Sequence, residues 1–308
     1  MGYVKGANFE EKCFLVKGMR EFSWGVIGTL TTSEEGDISF KFGNENIEGP
    51  RFKVGDIISV FGTIGEYNGN PQVIGSCHKV QVTKEILAKV VPVTPVDVQK
   101  EFAFLMDSAA AIRDPQLCPL TTGLLADYAE KLKTLPAGMA MHHSYLGGWV
   151  EHTAGILRAA IAIGSVYGER LNMDLLVSGA ILHDIGKLLE FKTNELGLVE
   201  DYTFLGDGVG HATLGVGMII ARANVFDFDL NSPSVAALLN IVGTHAGSRD
   251  WGACADPICS EAVVISRLDY MDAHINSITS CTKELQCGEK SFNKSTRMPS
   301  YRTVVLPS

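Results

Sequence analysis

Six residues of metal-ligand type lie inside otherwise apolar helical runs, and they define the chemistry open to this sequence. His152 falls in WVEHTAGIL, His183 and Asp184 stand together in AILHDIGKLLE, His211 in GVGHATLGV, His245 in NIVGTHAGS and Asp269 in ISRLDYMDA. An unpaired imidazole or carboxylate is costly to bury, so each of these groups needs hydrogen bonds, an ion pair or a metal. A single histidine on an apolar helix is ordinarily a satisfied core residue. Six such positions on five successive helices weaken that explanation. Imidazole nitrogen together with carboxylate oxygen suits Zn²⁺, Mn²⁺, Fe²⁺ or Co²⁺ better than Ca²⁺. Four histidines and two aspartates suffice for two ions sharing a carboxylate, and paired ions stabilise both the attacking and the leaving oxygen of a phosphoryl displacement.

Two composition regimes must position these groups. From Cys13 to Val82 the chain reads as short β-rich runs (FLVKGM, GVIGTLTT, DISFKF, DIISVFGTIGEY, PQVIGSCHKVQV) separated by the turn signals EEGD, GNENIEGP, VGD and YNGN. Five strands in so short a span predict a small all-β barrel of the OB type, with another small barrel or sandwich as the alternative. VPVTPVD at 91–97 predicts an extended linker. Beyond it, apolar stripes at 3–4-residue spacing predict an all-α bundle of about seven helices, the first capped by Asp97 or a neighbouring Thr. The expected domains are 1–90 for the barrel, 91–118 for the linker and first helix, 119–282 for the helical bundle and 283–308 for an irregular tail ending in a β-like run, YRTVVLP.

Composition narrows the function classes. At 46% hydrophobic and 20% charged residues, the chain can bury a core. Its longest apolar runs fall short of the roughly 20 residues a membrane span needs. MGYVKGANFEEKCF shows no secretory h-region, and seven scattered cysteines read as reduced thiols, so a cytoplasmic protein without a membrane partner is expected. Net charge is −9, and most of the excess falls after residue 91. Such a chain does not attract polyphosphate in bulk, so a nucleic-acid or nucleotide substrate requires local positive charge, which divalent ions supply.

The order H…HD…H…H…D resembles the HD superfamily of metal-dependent phosphohydrolases over roughly residues 140–280. Combined with an OB-like barrel, the phrases MHHSYLGGWVEHT, ILHDIGK, GHATL, the His245 turn followed by Trp251-Gly252 and Pro257, and LDYMDA are similar to the YhaM-type 3′-to-5′ exoribonucleases. The resemblance implies hydrolysis of single-stranded RNA or DNA from the 3′ end to nucleoside monophosphates. It implies two ions per chain, Mn²⁺ foremost, with Fe²⁺, Co²⁺, Zn²⁺, Mg²⁺ or Ni²⁺ as substitutes. His152, His183, Asp184 and Asp269 would hold one ion, and Asp184 would bridge to a second held by His211 and His245. Lys187 and Arg249 would meet phosphate oxygens. His142 and His143 would line the pocket as proton donors or base contacts, or serve as polar residues at a helix entry. Glu151 would orient His152. Asp272 is expected exposed or behind the ligands, and His78 and His274 structural or exposed. Trp24, Phe40, Phe42 and Tyr67 are candidates for stacking bases, against the alternative that two or three are barrel core. A departure from the family is Ala246-Gly247 after His245, where a second histidine is frequent. Two other readings stay open: a hydrolase of small nucleotides or cyclic dinucleotides with the barrel as a regulatory or oligomerising module, and a nucleic-acid-binding protein with a structural metal site. A homo-oligomer is compatible with the sequence.

Overall fold

The computed structural model describes residues 5–33, 35–139, 143–194, 197–293 and 296–303. His142 lies outside the described residues. The chain divides into two compact units, Met1–Val93 and Thr94–Ser308.

The first unit is a closed barrel of five principal strands, consistent with the OB class. β1 (Asn8–Phe22), β2 (Gly25–Thr32), β3 (Gly36–Gly43), the two-residue β4 (Ile47–Glu48), β5 (Ile57–Tyr67) and β6 (Asn70–Lys79) form one sheet in the order β3-β2-β1-β5-β6-β4, and a parallel β3–β6 pairing (Ser39↔Gln72, Phe40↔Val73) closes it. β1 pairs with β2 through its second half and with β5 through its first. Register shifts between Val16 and Gly18 and between Phe9 and Lys12 let the one long strand bend enough to serve both neighbours. The YNGN signal becomes a tight hairpin: Asn68 and Gly69 both take positive φ (50° and 78°), as a two-residue turn of the type that matches strand twist requires. A short helix, α1 (Lys84–Val90), follows the barrel, capped by the Thr83 side chain; the strand-based reading of 1–90 did not include it.

Alternation along β3 buries Ile38, Phe40 and Phe42 on one face. Phe40 and Phe42 are 1% and 0% exposed and join Phe14, Val26, Leu30 and Val60 in the barrel core. They are therefore corrected from base-stacking candidates to core residues. Trp24 and Tyr67 are exposed. Trp24 stacks on Phe22 (centroids 5.4 Å apart, planes 12° apart), with Lys41 Nζ 4.8 Å from its ring centroid.

The second unit is helical, with two small hairpins. Its helices are α2 (Val98–Ala110), α3 (Leu117–Asp127), α4 (Ala129–Leu132), α5 (Gly148–Tyr167), α6 (Met173–Leu182), α7 (Lys187–Glu190), α8 (Phe204–Val225), α9 (Pro233–Thr244) and α10 (Ser260–Thr282). These are nine helices among the described residues, against about seven expected. The surplus arises because two of the apolar runs expected as single helices break: PLTTGLLADYAEKLKTL (119–135) into α3 and α4, and MDLLVSGAILHDIGKLLEF (173–191) into α6 and α7 at the turn 183–186. β7 (Phe191–Thr193) pairs with β8 (Val199–Tyr202), and β9 (Lys290–Asn293) with β10 (Met298–Tyr301). Most of the YRTVVLP run lies outside the described residues. Asp97 caps α2 by accepting from the backbone N–H groups of Gln99 and Lys100. The core gathers Leu105, Leu120, Trp149, Leu157, Leu176, Ile181, Ile219, Leu238, Ile241 and Ile265.

Among the described residues one helix, α8, has the length and hydropathy to cross a membrane. It breaks at Gly210 and buries Leu214, Met218, Ile219 and Ala223, as a core helix of this bundle.

Candidate metal centre

Helical periodicity brings His152 and Asp269 inward, and helix ends and breaks place the other ligand-type residues. On α5, His152 continues the stripe of Trp149, Thr153, Ile156 and Ala160. On α10, Asp269 and Asp272 extend the stripe of Ala262 and Ile265. His183 and His245 are the C-cap residues of α6 and α9. The two are built alike. At the end of each helix a carbonyl lacks an intrahelical partner. The histidine three residues on supplies one: His183 Nδ1 lies 2.8 Å from Ala180 O, and His245 Nδ1 2.7 Å from Val242 O. A carbonyl only accepts, so Nδ1 carries the proton and Nε2 presents a lone pair.

Asp184 sits on the turn between α6 and α7. Trp149, fully buried, donates from Nε1 to the Asp184 backbone carbonyl at 3.2 Å. Gly186 brings that turn against α8: a Cβ there would stand 2.0 Å from the His211 carbonyl oxygen. On α8, Gly210 takes φ 70° and ψ 159°, outside the helical region, so the helix restarts at His211. Glu190 Oε1 accepts from the His211 backbone N–H at 3.0 Å and lies 2.9 Å from His211 Nδ1.

The result is two imidazole pairs on one carboxylate. His152 and His183 approach Nε2 to Nε2 at 3.1 Å, as do His211 and His245. Asp184 Oδ2 lies 3.5 Å from both nitrogens of the first pair. Its Oδ1 lies 3.5 Å from His211 Nε2 and 3.4 Å from His245 Nε2. Asp269 Oδ1 lies 3.3 Å from His152 Nε2. Nitrogens about 2.0–2.1 Å from a common ion stand roughly 3 Å apart when they subtend a right angle. All four Nδ1 atoms already face a protein acceptor, and lone pairs facing across such a gap repel unless a proton or a cation lies between them. The donor set therefore fits divalent ions at each pair.

Electrostatics agree with this arrangement. His152, His183, Asp184 and His245 are at most 2% exposed. Burial alone would raise the Asp184 carboxyl; the Lys187 ammonium, 2.6 Å from Oδ2, holds it well below the usual carboxylate range. Burial pushes His183 down to about 4. Burial also opposes charge on His152, but hydrogen bonds to Asp269 and Asp272 overcome it and raise that imidazole to about 9. The His211 and Asp269 side chains keep 27% and 22% of their surface, so the cluster opens to solvent on their side.

Several other residues stand differently from expectation. Lys187 is buried with its ammonium on Asp184, not projected towards an open phosphate position. Glu151 is turned towards other partners: its Oε2 accepts from Tyr145 at 2.8 Å and from Thr94 and lies 3.6 Å from His143 Nδ1, as neighbours on a helix point about 100° apart. Asp272 takes the orienting part instead. Its Oδ2 lies 2.8 Å from His152 Nδ1 and 3.2 Å from His143 Nε2. His143 is 6% exposed and also meets Tyr145 and Asn276, so it lies behind His152 and away from any substrate base. Arg249 is exposed on the turn Arg249–Trp251 after α9. Glu190 was not singled out by sequence, and the acid in GKLLEF is its only trace there.

Residues 149–274 match the HD domain family. The chain is 30% identical over 241 residues to the 3′-5′ exoribonuclease YhaM of Oceanobacillus iheyensis, covering 76% of this chain and 72% of that one. It is 27% identical over 303 residues to the 3′-5′ exoribonuclease YhaM of a Geobacillus species (95% and 91% covered). It is 25% identical over 290 residues to that of Listeria monocytogenes serotype 4b (94% and 87%). The HD match implies divalent-metal binding, and the two imidazole pairs on Asp184 are where the helical unit offers it.

Proposed function

The chain belongs to the YhaM family and is a metal-dependent phosphohydrolase with an HD domain, and from that membership we propose that it shortens single-stranded RNA from the 3′ end, releasing nucleoside monophosphates. Single-stranded DNA is proposed as a second substrate, Mn²⁺ as the ion and the cytoplasm as the compartment.

One observation carries the reading: a single buried carboxylate, Asp184, turns each oxygen towards a separate imidazole pair. That donor set is proposed to hold two divalent ions, His152, His183 and Asp269 on one side and His211 and His245 on the other. Such ions, when bound, add positive charge against a phosphodiester and acidify water. In a chain of net charge −9 this charge is local and aimed.

The protein's own groups prepare the site. The carbonyls of Ala180 and Val242 fix the tautomers of His183 and His245, keeping Nε2 available. Asp272 and Glu190 do the same for His152 and His211. The Lys187 ammonium keeps Asp184 ionised despite burial. The open side, between His211 and Asp269, is where a phosphodiester is proposed to enter, with Arg249 meeting a non-bridging oxygen. In the barrel, the exposed Phe22–Trp24 pair with Lys41 supports binding of an unpaired strand, since stacked rings and a cation suit bases and phosphates.

Digestion of 5′-end-labelled single-stranded RNA in Mn²⁺ tests the proposal. A ladder shortening from the 3′ end, absent with D184N, is expected. Cleavage of mono- or dinucleotides alone would overturn it in favour of a small-nucleotide hydrolase, the reading that the acidic charge favours.

A further inference from the structure

Three aromatic side chains of the helical unit form a stacked column at the surface, on the turn that follows His245 and on the helix that carries Asp269. Trp251 and Tyr270 have centroids 5.5 Å apart and planes 17° apart; Tyr270 and His274 have centroids 3.9 Å apart and planes 27° apart. Trp251 remains 59% exposed and Tyr270 42%. The column is fixed at both elements that make it. Trp251 sits on the turn six residues after His245, a turn begun by the Ser248 side chain, which accepts from the Asp250 N–H. Tyr270 and His274 are one turn apart on α10, and His274 Nδ1 is tied to the Tyr270 carbonyl at 2.9 Å.

The position of the column indicates its use. Tyr270 is the next residue after Asp269, whose carboxylate lies on the open side of the centre. Exposed apolar side chains are common on this protein, but Trp251 and Tyr270 are stacked in register on the two elements that carry His245 and Asp269. Near-parallel rings with an outer indole face offer the next place in a stack to a flat ring. Arg249, on the same turn as Trp251, and Arg267, one helical turn before Tyr270, are exposed and carry the charge that accompanies a phosphate chain. Flat rings joined by phosphates describe an unpaired nucleic-acid strand and not a peptide or a lipid surface.

Resting on the exonuclease reading above, we infer that the Trp251–Tyr270–His274 column is a base-stacking site for the 3′-terminal nucleotides of the substrate strand, with Trp251 taking the base and holding the phosphodiester next to Asp269. Trp251 is here a positioning residue, so the column governs KM for base-bearing ends and not the chemistry on the phosphate.

The test uses the Mn²⁺-loaded full chain, W251A and W251F, on two single-stranded RNAs that differ only in whether the last two residues carry bases or are abasic. Wild type is expected to lose about 5- to 150-fold in kcat/KM on the abasic end, through KM. W251A is expected to show a loss of that size on the base-bearing end, and the two losses should not add. W251F should recover most of the loss. An equal W251A penalty on both substrates, additive losses, a W251F no better than W251A, or a W251A short of bound Mn²⁺ would each overturn the inference and leave Trp251 as a prop for the His245 turn. A wild type active on RNA with an unmoved W251A brings down the column alone. A wild type inactive on RNA brings down the exonuclease reading as well.

Discussion

One carboxylate oxygen of Glu190 serves His211 twice, taking the backbone N–H at 3.0 Å and standing 2.9 Å from ring Nδ1. The same atom therefore caps the restarted half of α8 and sets the face of the imidazole turned to His245. E190A removes the acceptor that serves both, and an orienting partner of a metal-ligating histidine is worth roughly 10- to 100-fold in affinity or activity. Calorimetric titration with Mn²⁺ should show one of two binding steps weakened by that factor, with E190Q, which keeps an acceptor oxygen, losing less. Two unchanged steps in E190A would contradict this.

Asp272 makes the matching prediction for the other pair. With its Oδ2 2.8 Å from His152 Nδ1, D272N should lower kcat or ion affinity about 10- to 100-fold. H143Q, one link further out, should cost less. Equal effects, measured by steady-state rates and bound metal, would mean that His143 meets substrate directly.

How much of this was legible depends on whether a residue's role is set by its own helix or by a distant one. His152, His245 and Asp269 were readable because each interrupts an apolar stripe that must be buried. Glu190 was not, because its partner depends on Gly210 breaking α8 and returning His211 to it. Asp272 lies one helical turn past Asp269, on a stretch of α10 where exposed Tyr270 and Met271 blur the inward stripe. The burial of Phe40 and Phe42 was in the alternation of β3 all along: Ile38, Phe40 and Phe42 occupy one face, and a barrel interior is filled from one face of each strand.

Removing metal should make stability depend on pH in a defined window. In the ion-free protein His152 is held up at about 9 by Asp269 and Asp272 against burial, and His143 and His245 are also raised. A raised imidazole contributes stability that is fully present below the unfolded value, about 6.5, and lost as pH rises through the folded one. The melting temperature after chelation should therefore fall between pH 6.5 and 9. His183, pushed down by burial to about 4, acts with the opposite slope only at lower pH, between about 4 and 6.5. The Mn²⁺-loaded protein should be flatter across the upper window. Thermal melts at four pH values, with and without EDTA, check this; a flat profile after chelation would contradict it.

In the barrel, a buried and an exposed aromatic should separate folding from binding. F40A should destabilise by about 3–5 kcal/mol, as a fully buried phenylalanine does on truncation. W24A should leave the urea midpoint nearly unchanged and weaken binding of a labelled single-stranded RNA by about 1–3 kcal/mol. Urea unfolding and fluorescence anisotropy read the two effects, and a W24A that binds as wild type would remove Trp24 from the strand-binding surface.

The arrangement around Asp184 is open to a direct measurement: anomalous diffraction from crystals grown in Mn²⁺. Two peaks about 3.5–4 Å apart, one beside His152 and His183 and the other beside His211 and His245, are predicted, with both lost in D184N. A single peak, or two that ignore one of the imidazole pairs, would contradict the shared-carboxylate centre.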